Sequence, residues 1–337
     1  MDRPRIVARR LPLALAAAAL LTCGAAGSVA ADELRVVASI KPVHSLVSAV
    51  MAGVGEPHLI IRGHASPHTF TMRPSDAEAL EDADVIFMVG DTMETAFAGP
   101  VEALAGDARV VRLADTPGLV LRPIREGGAF EEHDHDSHGD SGMDDHGHGH
   151  AHGGHDDEPG PFDMHVWLDP INGWTMARAI AGTLGEIDPA NAATYRANVD
   201  ALLQRLERLT GEIAQASAPA RGVPFIVFHD GYRYFEDRFG LTAAGSVVVS
   251  PERAPGARRI SQLRDKVERL GVVCVFDEPQ FDKRLVNTVT EGSDVKSGTV
   301  DPLGAAIEDG PELYFTLLHN MAAAFTGCLA PEEESAS

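Results

Sequence analysis

Short apolar runs rich in valine and isoleucine alternate along the chain with segments of helical periodicity. The runs cover residues 35–40, 59–62, 85–89 and 109–113 in the first half, and residues 225–228, 245–249, 272–276 and 298–300 in the second. The segments between and after them that we predict to be helices are residues 43–54, 75–82, 93–105, 232–239, 257–270, 282–290 and 312–325. Strands of a parallel sheet have this appearance because helices cover both of its faces. The pattern predicts an α/β protein with mostly parallel sheets.

The longest periodic segment lies between the two halves. Its apolar side chains recur at three- and four-residue steps, as on one stripe of a helix; they are Tyr195, Val199, Leu202, Leu203, Leu206, Leu209 and Ile213. With Pro189 in the first turn and Asp188 as a cap, the predicted helix covers residues 189–217 and is roughly 43 Å long. Bending it would break backbone hydrogen bonds, so it should be rigid. We expect it to join two (β/α)4-like lobes, residues 32–188 and 218–331, followed by a disordered tail at residues 332–337.

The N-terminus predicts export. Four arginines precede an apolar run over residues 11–21, and small residues follow as far as Ala30 and Ala31. This arrangement is typical of a cleaved signal peptide, here residues 1–31, and the run is too short for a membrane-spanning helix. Lipoprotein anchoring through Cys23 is the alternative, but Thr22 stands where a smaller residue is preferred. We therefore predict a protein of the periplasm.

Two cysteines remain after the signal peptide, Cys274 and Cys328. An even number of cysteines in an exported chain favours a disulfide. A two-cysteine metal site is the alternative, but it lacks the close spacing that such sites have. We predict a bridge that connects the terminal helix to the run at residues 272–276.

The formal net charge of the chain is −22 at pH 7. Phosphate backbones are bound by basic surfaces, so nucleic acid is excluded as a partner. An acidic surface instead attracts cations.

Residues 131–158 carry ten acidic side chains, eight histidines and no lysine or arginine. The histidines are His133, His135, His138, His146, His148, His150, His152 and His155. A segment so poor in apolar residues is expected to be a disordered loop, over about residues 126–162. Acidity alone explains a solvated linker but not the histidines, which are ligands of zinc and its first-row neighbours. We predict that the protein handles a transition metal and that this loop binds additional zinc weakly.

Three further polar residues follow predicted strands. They are His68, His229 and Asp301, and His165 follows the histidine-rich loop. In open α/β sheets, ligands bind beyond the carboxyl ends of the strands, so these four side chains are expected to meet in a cleft between the lobes. Three imidazoles and one carboxylate suit zinc, whereas manganese prefers more oxygen ligands.

Three other residues are candidates for supporting roles near this predicted site. His64 is an auxiliary ligand candidate, and Asp230 and Glu278 are candidates for carboxylates that orient the imidazoles. The alternative for each of the two acids is a solvated loop residue without a role at the site.

Six motifs occur in one order along the chain. They are Pro67-His68 with residues 73–76, residues 163–170, residues 229–241, residues 255–258, residues 276–281 and residues 298–304. From about residue 34 to residue 329 the chain thereby resembles the solute-binding proteins of ABC-type zinc and manganese importers, above all their zinc-uptake (ZnuA) branch. A histidine-rich insertion and a late cysteine pair also mark that branch.

The resemblance implies two lobes, a rigid backbone helix and a metal ion in the cleft. It implies that His68, His165 and His229 are ligands and that Asp301 occupies the fourth position. Water, or an acid beside the first histidine, is the alternative in the zinc branch. Pro67 stands beside the first histidine here, so that acid is missing.

The expected function is capture of Zn²⁺ in the periplasm and its delivery to an inner-membrane ABC permease. We expect a monomer that binds no organic substrate and catalyses no reaction. A zinc hydrolase is disfavoured because no His-Glu-x-x-His motif or other placed general base is present. Manganese import and a non-transport zinc buffer or chaperone remain as alternatives.

Overall fold

The first half of the chain folds into a four-stranded sheet with helices on its faces. The computed structural model describes residues 34–125, 130, 162–248 and 256–330. The strands are β1 (Val36–Ile40), β2 (His58–Ile61), β3 (Val85–Met88) and β4 (Arg109–Arg112), and all pair in parallel in the order β2-β1-β3-β4. The helices are α1 (Lys41–Met51), α2 (Pro74–Glu81) and α3 (Thr95–Leu104). The predicted signal peptide, the eight loop histidines and the predicted tail lie outside the described residues.

A short antiparallel pair was not predicted. Strand β5 (Arg122–Pro123) pairs with β6 (Phe162–Asp163), so residues on either side of the histidine-rich segment meet in the structure. A 3-10 helix at Val166–Leu168 follows β6 and places His165 directly before its first turn.

Two long helices follow, although the sequence predicted one. Helix α4 (Pro170–Ile187) begins at Asp169, whose carboxylate accepts a hydrogen bond from the Ile171 N–H at 2.9 Å. Its small residues give it no clear apolar stripe, which is why periodicity missed it. Helix α5 (Ala192–Ala216) is the predicted backbone helix, and all seven residues of its apolar stripe are buried.

The start of α5 differs from the prediction. Asp188 does not cap it; this residue ends α4, and its carboxylate accepts hydrogen bonds from Asn191 Nδ2 and Tyr195 Oη. Pro189 consequently lies in the turn between the two helices rather than in the first turn of α5. A proline is compatible with either position, because it lacks the N–H that an interior helical residue would donate.

The second half forms another four-stranded sheet. Its strands are β7 (Phe225–Val227), β8 (Ala243–Ser246), β9 (Cys274–Asp277) and β10 (Lys296–Thr299), all parallel in the order β10-β9-β7-β8. Its helices are α6 (Arg233–Phe239), α7 (Ala257–Leu270), α8 (Arg284–Thr290) and α9 (Leu313–Leu329). The α/β prediction of two parallel sheets joined by a long helix is confirmed.

Helices α5 and α9 tie the two halves together. Helix α9 packs against α1 and α5, and α5 also packs against α4 and α1. One hydrophobic core therefore runs through residues of both sheets, and a smaller core lies under α7 and α8. Among the described residues, no helix combines the length and the apolar character that crossing a bilayer requires.

The loop after β10 is fixed to the first half by polar contacts. The buried ammonium of Lys41 donates to the carbonyls of Ala305 and Ile307, at 3.3 and 2.7 Å, and pairs with Asp309 at 3.0 Å. The Trp167 indole N–H donates to the carbonyl of Pro302 at 2.8 Å. These contacts keep the carboxyl end of β10 close to the first sheet.

The predicted disulfide is present. Cys274 at the start of β9 is bonded to Cys328 near the end of α9, across a separation of 54 residues. It attaches the terminal helix to the second sheet, so helix and sheet cannot separate without reducing it.

Removing this bridge is expected to destabilise the fold. On the chain-entropy model, closing such a loop contributes about 4 kcal/mol, and the measured cost of removing native bridges is roughly 2–5 kcal/mol. The double variant Cys274→Ser/Cys328→Ser should therefore unfold at lower urea concentration in equilibrium denaturation. A reducing agent should destabilise the wild type to a similar extent and leave the variant unchanged. Equal urea midpoints for the oxidised wild type and the variant would contradict the expectation.

Candidate metal centre

Three imidazoles from separate parts of the chain converge at the carboxyl ends of the strands. His68 lies in the turn after β2, His165 follows β6, and His229 follows β7. One ring nitrogen from each lies within 4.8 Å of the others. His165 and His229 are buried and their Nε2 atoms are 3.0 Å apart, whereas His68 is half-buried.

Two buried carboxylates orient two of the rings. Asp163 Oδ1 lies 2.7 Å from Nδ1 of His165, and Glu278 Oε1 lies 2.5 Å from Nδ1 of His229. An ionised carboxylate can only accept, so each Nδ1 carries the hydrogen and donates it. The Nε2 atoms then present their lone pairs to the same point, as metal-binding imidazoles do.

Asp163 is itself held in place from the second half of the chain. Its backbone carbonyl accepts a hydrogen bond from the Tyr234 hydroxyl at 2.6 Å, and its Oδ1 also accepts from the His165 N–H at 3.0 Å. Tyr234 belongs to α6, which begins shortly after His229. The two histidines are thus positioned by one connected set of contacts.

The environment shifts the pKa values of His68 and His229 in opposite directions. Burial lowers the pKa of His68 to about 3, with a further contribution from the neighbouring His165 and His229. Burial also lowers the pKa of His229, but the Glu278 carboxylate outweighs it and the pKa is raised. In the metal-free protein, the His68 imidazole is therefore neutral, and its nitrogen lone pair is available to a cation.

The geometry fits a small cation with nitrogen ligands. The cavity bounded by the three imidazoles has a volume of about 10 Å³, comparable to the room that one water molecule needs. With Zn–N bonds of about 2.0–2.1 Å, tetrahedral zinc places ligand nitrogens roughly 3.3 Å apart. The separation of 3.0 Å between the two buried Nε2 atoms is close to this requirement.

Gly231 keeps the cavity open. A Cβ at this position would lie 2.5 Å from His229 Nε2 and 2.8 Å from His165 Nε2, where it would obstruct both lone pairs. Sequence reasoning missed this glycine and the orienting role of Asp163. The signal for Asp163 was its spacing of two residues before a candidate ligand, which allows a side chain to reach the following ring.

Asp301 does not join the imidazole group. Its Oδ1 accepts from the N–H groups of Leu303 and Gly304 and from Gln280 Nε2, and its Oδ2 accepts from the N–H of Ala305 at 2.6 Å. The carboxylate thus holds the turn whose Pro302 and Leu303 line the cavity.

Two further candidates, His64 and Asp230, also lie outside the imidazole group. His64 is exposed and lines a neighbouring cavity. Asp230 contacts the Arg125 guanidinium rather than an imidazole, and Arg125 also pairs with buried Glu236. Arg125 neutralises the Asp230 carboxylate. Glu278 differs, because its carboxylate accepts a hydrogen bond from His229.

Comparison with known proteins identifies the family. The family model described as "Zinc-uptake complex component A periplasmic" matches residues 36–328, nearly the whole of the described chain. The chain belongs to this family. It is a family of solute-binding transport proteins rather than of enzymes.

Curated relatives and solved structures agree with this membership. The high-affinity zinc uptake system protein ZnuA of Brucella suis is 49% identical over 318 residues, which cover 91% of this chain and 95% of the relative. The ZnuA of Yersinia pestis is 34% identical over 295 residues, or 87% and 91% of the two chains. A crystal structure of ZnuA has the same fold, with a TM-score of 0.71 at 22% identity over 89% of this chain and all of the other.

The opposite pKa shifts predict how the metal-free site titrates. In two-dimensional NMR, the ring signals of His68 should stay those of a neutral imidazole until the pH approaches about 3. His229 should take up its proton above the ordinary value of 6.5. The unfolded chain binds a proton at residue 68 near pH 6.5, so His68 makes stability fall as the pH falls from about 6.5 to 3. The contribution of His229 has the opposite sign and is lost as the pH rises through its folded pKa.

Titration of His68 between pH 6 and 7 would contradict the burial argument.

Proposed function

We propose that the protein captures Zn²⁺ in the periplasm and delivers it to an ABC permease of the inner membrane. The convergence of three imidazoles, two of them oriented by carboxylates, on one small cavity is the observation that supports this function most directly. Family membership supplies the transport context. Export through a cleaved signal peptide at residues 1–31 and a monomeric state are parts of the same proposal.

We assign His68, His165 and His229 as the zinc ligands and a water molecule as the fourth. Asp301 is the other candidate for the fourth position, but its oxygens already accept four hydrogen bonds within its own turn and from Gln280. Three nitrogen donors favour zinc over manganese, which prefers oxygen-rich sites.

Zinc binding should release a proton. The lone pairs of two Nε2 atoms 3.0 Å apart repel each other unless a cation or a proton lies between them. Zinc replaces the proton, while Asp163 and Glu278 compensate part of its charge. Affinity is therefore expected to fall as the pH drops through the pKa of His229, which lies above the ordinary value of 6.5.

Two substitutions test the ligand set. His229→Ala removes a ligand and should weaken zinc binding by orders of magnitude, as should alanine at His68 or His165. Glu278→Gln keeps the ligand but removes the negative charge of the carboxylate that orients it, so affinity should fall roughly 10–100-fold. Competition titration against a chromophoric chelator measures both effects.

Asp282→Asn is the matched control, because this exposed acid of the same region contacts Arg284 and no imidazole. It should bind zinc like the wild type. Wild-type affinity in His229→Ala would remove that residue from the site.

Growth of a bacterium that lacks its own copy of this gene tests the transport role. Under zinc starvation the wild-type gene should restore growth and the His229→Ala variant should not, as measured by growth rate and cell zinc content. A strain that also lacks the permease separates import from buffering. Rescue without the permease would favour the zinc buffer or chaperone; failure of rescue when the permease is absent supports import.

We further propose that the histidine-rich segment collects zinc weakly and raises its concentration near the cavity. Its composition supports this, because eight imidazoles occur among ten carboxylates. Deleting residues 131–158 should lower the zinc stoichiometry in equilibrium dialysis and leave one tight site. Loss of the tight site as well would mean that the segment supplies primary ligands.

A further inference from the structure

A second and larger cavity adjoins the metal centre. It has a volume of about 420 Å³, within the range of roughly 300–1,000 Å³ typical of small-molecule sites. Its walls come from residues 60–73, which run from the end of β2 to the residue before α2, and from Gln280 of the other half of the chain.

The charge of this cavity is opposite to that of the protein. Arg62, Arg73 and His64 line it, and no aspartate or glutamate does, although the chain has a net charge of −22. Both guanidinium groups contact the fully buried Asp76, at 3.2 and 3.0 Å. One carboxylate neutralises one of two cations, so a net positive charge remains at the cavity wall.

The two guanidinium groups keep donors for a ligand. Each has five N–H groups in a planar fork suited to carboxylates. Asp76 accepts from both groups, Arg62 also contacts His58 Nε2 at 3.0 Å, and Arg73 also donates to the Ile60 carbonyl at 3.5 Å. These contacts leave further N–H groups of both forks for a ligand. Asp76 also fixes the two groups relative to each other, because it contacts both from a buried position. An anion in the cavity would meet preorganised donors, and the exposed hydroxyls of Thr69 and Thr71 line the same space.

The cavity shares part of its wall with the metal centre. Ser66 and Gln280 line both spaces, and His68 follows Ser66 by two residues. A ligand held by Arg62 and Arg73 would therefore lie beside the half-buried imidazole, the most exposed of the three.

We propose that this cavity binds the carboxylates of a small anionic zinc chelate, a polycarboxylate such as citrate, and that zinc passes from the chelate to the three imidazoles. This inference rests on the proposed function for the identity of the metal. A free cation gains nothing from the two arginines, whereas a chelate with excess negative charge is attracted by them. The arginines would hold the carboxylates as the metal leaves them.

The transfer is a ligand exchange without oxidation or reduction. A Zn–O bond to a carboxylate breaks as a Zn–N bond to an imidazole forms, first at His68 and then at the two buried rings. Each carboxylate keeps its electron pair and charge, and a proton displaced from the imidazoles passes to solvent.

Citrate binding to the metal-free full-length mature protein tests the cavity directly. Citrate should cause saturable NMR shifts at residues 62–73, and Thr71→Glu should weaken binding about 3- to 10-fold by placing a negative charge at the rim. Thr69→Glu is a second rim variant in case the first one does not fold, with thermal melting as the check. Ser293→Glu adds the same charge before β10, at the amino end of the second sheet, and should leave citrate binding unchanged.

Transfer kinetics give a result that a merely structural effect would not produce. Stopped-flow fluorescence of Trp167, whose ring lies 5.3 Å from that of His165, can report zinc arrival. Thr71→Glu should slow transfer from zinc citrate severalfold. It should accelerate uptake of aqueous Zn²⁺, because the added charge attracts a free cation. A general disturbance of the site would slow both.

The inference is overturned by an absence of saturable citrate shifts at millimolar concentration, by citrate binding that Thr71→Glu does not weaken, or by rates that change in the same direction. Failure of the proposed function looks different, because the wild type would then bind no zinc from either source. Because the citrate titration contains no metal, it tests the cavity whether or not the proposed zinc function is correct.

Discussion

The candidate metal centre depends on two hydrogen bonds between buried carboxylates and imidazoles. Asp163 and Glu278 each fix one ring by accepting from its Nδ1, and the two Nε2 atoms are thereby forced to within 3.0 Å of each other. Such a pair of lone pairs is unfavourable without positive charge between them. The protein thus holds an arrangement that a cation relieves, and the carboxylates supply the compensating negative charge inside a site with little solvent.

This arrangement requires the two halves of the chain to be held in register. His165 comes from the first half and His229 from the second, so any relative movement changes the distance between their rings. Tyr234 connects α6 to the backbone of Asp163, and Lys41 connects α1 to the loop after β10. Asp301 contributes to the same arrangement, because it accepts the hydrogen bonds that hold the turn lining the cavity.

Charge is distributed unevenly around the two adjoining cavities. The metal centre is backed by Asp163 and Glu278, which favour a bare cation. The neighbouring cavity has Arg62 and Arg73, which favour an anion. The candidate cation site would attract the metal ion, and the basic cavity beside it would attract the negatively charged carrier. In this strongly acidic protein, the two adjoining cavities could thus separate a metal from its carrier.

Much of the fold and the convergence of the three histidines could be predicted from the sequence alone. Each of the eight strands of the two main sheets overlaps a predicted apolar run, although β8 and β10 begin two residues before theirs. Helix α5 follows from its stripe, because burial imposes the period of the element on the residues. His68 and His229 could be predicted to converge because strand ends in a parallel α/β fold face the ligand crevice, whereas His165 was included because it follows the histidine-rich segment. Helix α4 was missed because its small residues carry little periodic signal, and β5 and β6 are too short to give any.

Only the tertiary structure decided how the remaining polar groups are used. Asp230 and Glu278 looked equivalent as loop acids, but Arg125 reaches one and His229 reaches the other. Asp301 follows a strand as His68 and His229 do, but its carboxylate oxygens accept hydrogen bonds from the N–H groups of its own turn. The need for glycine at position 231 exists only because two distant imidazoles meet above it. These outcomes depend on which side chains become neighbours in space, and spacing along a chain does not contain that information.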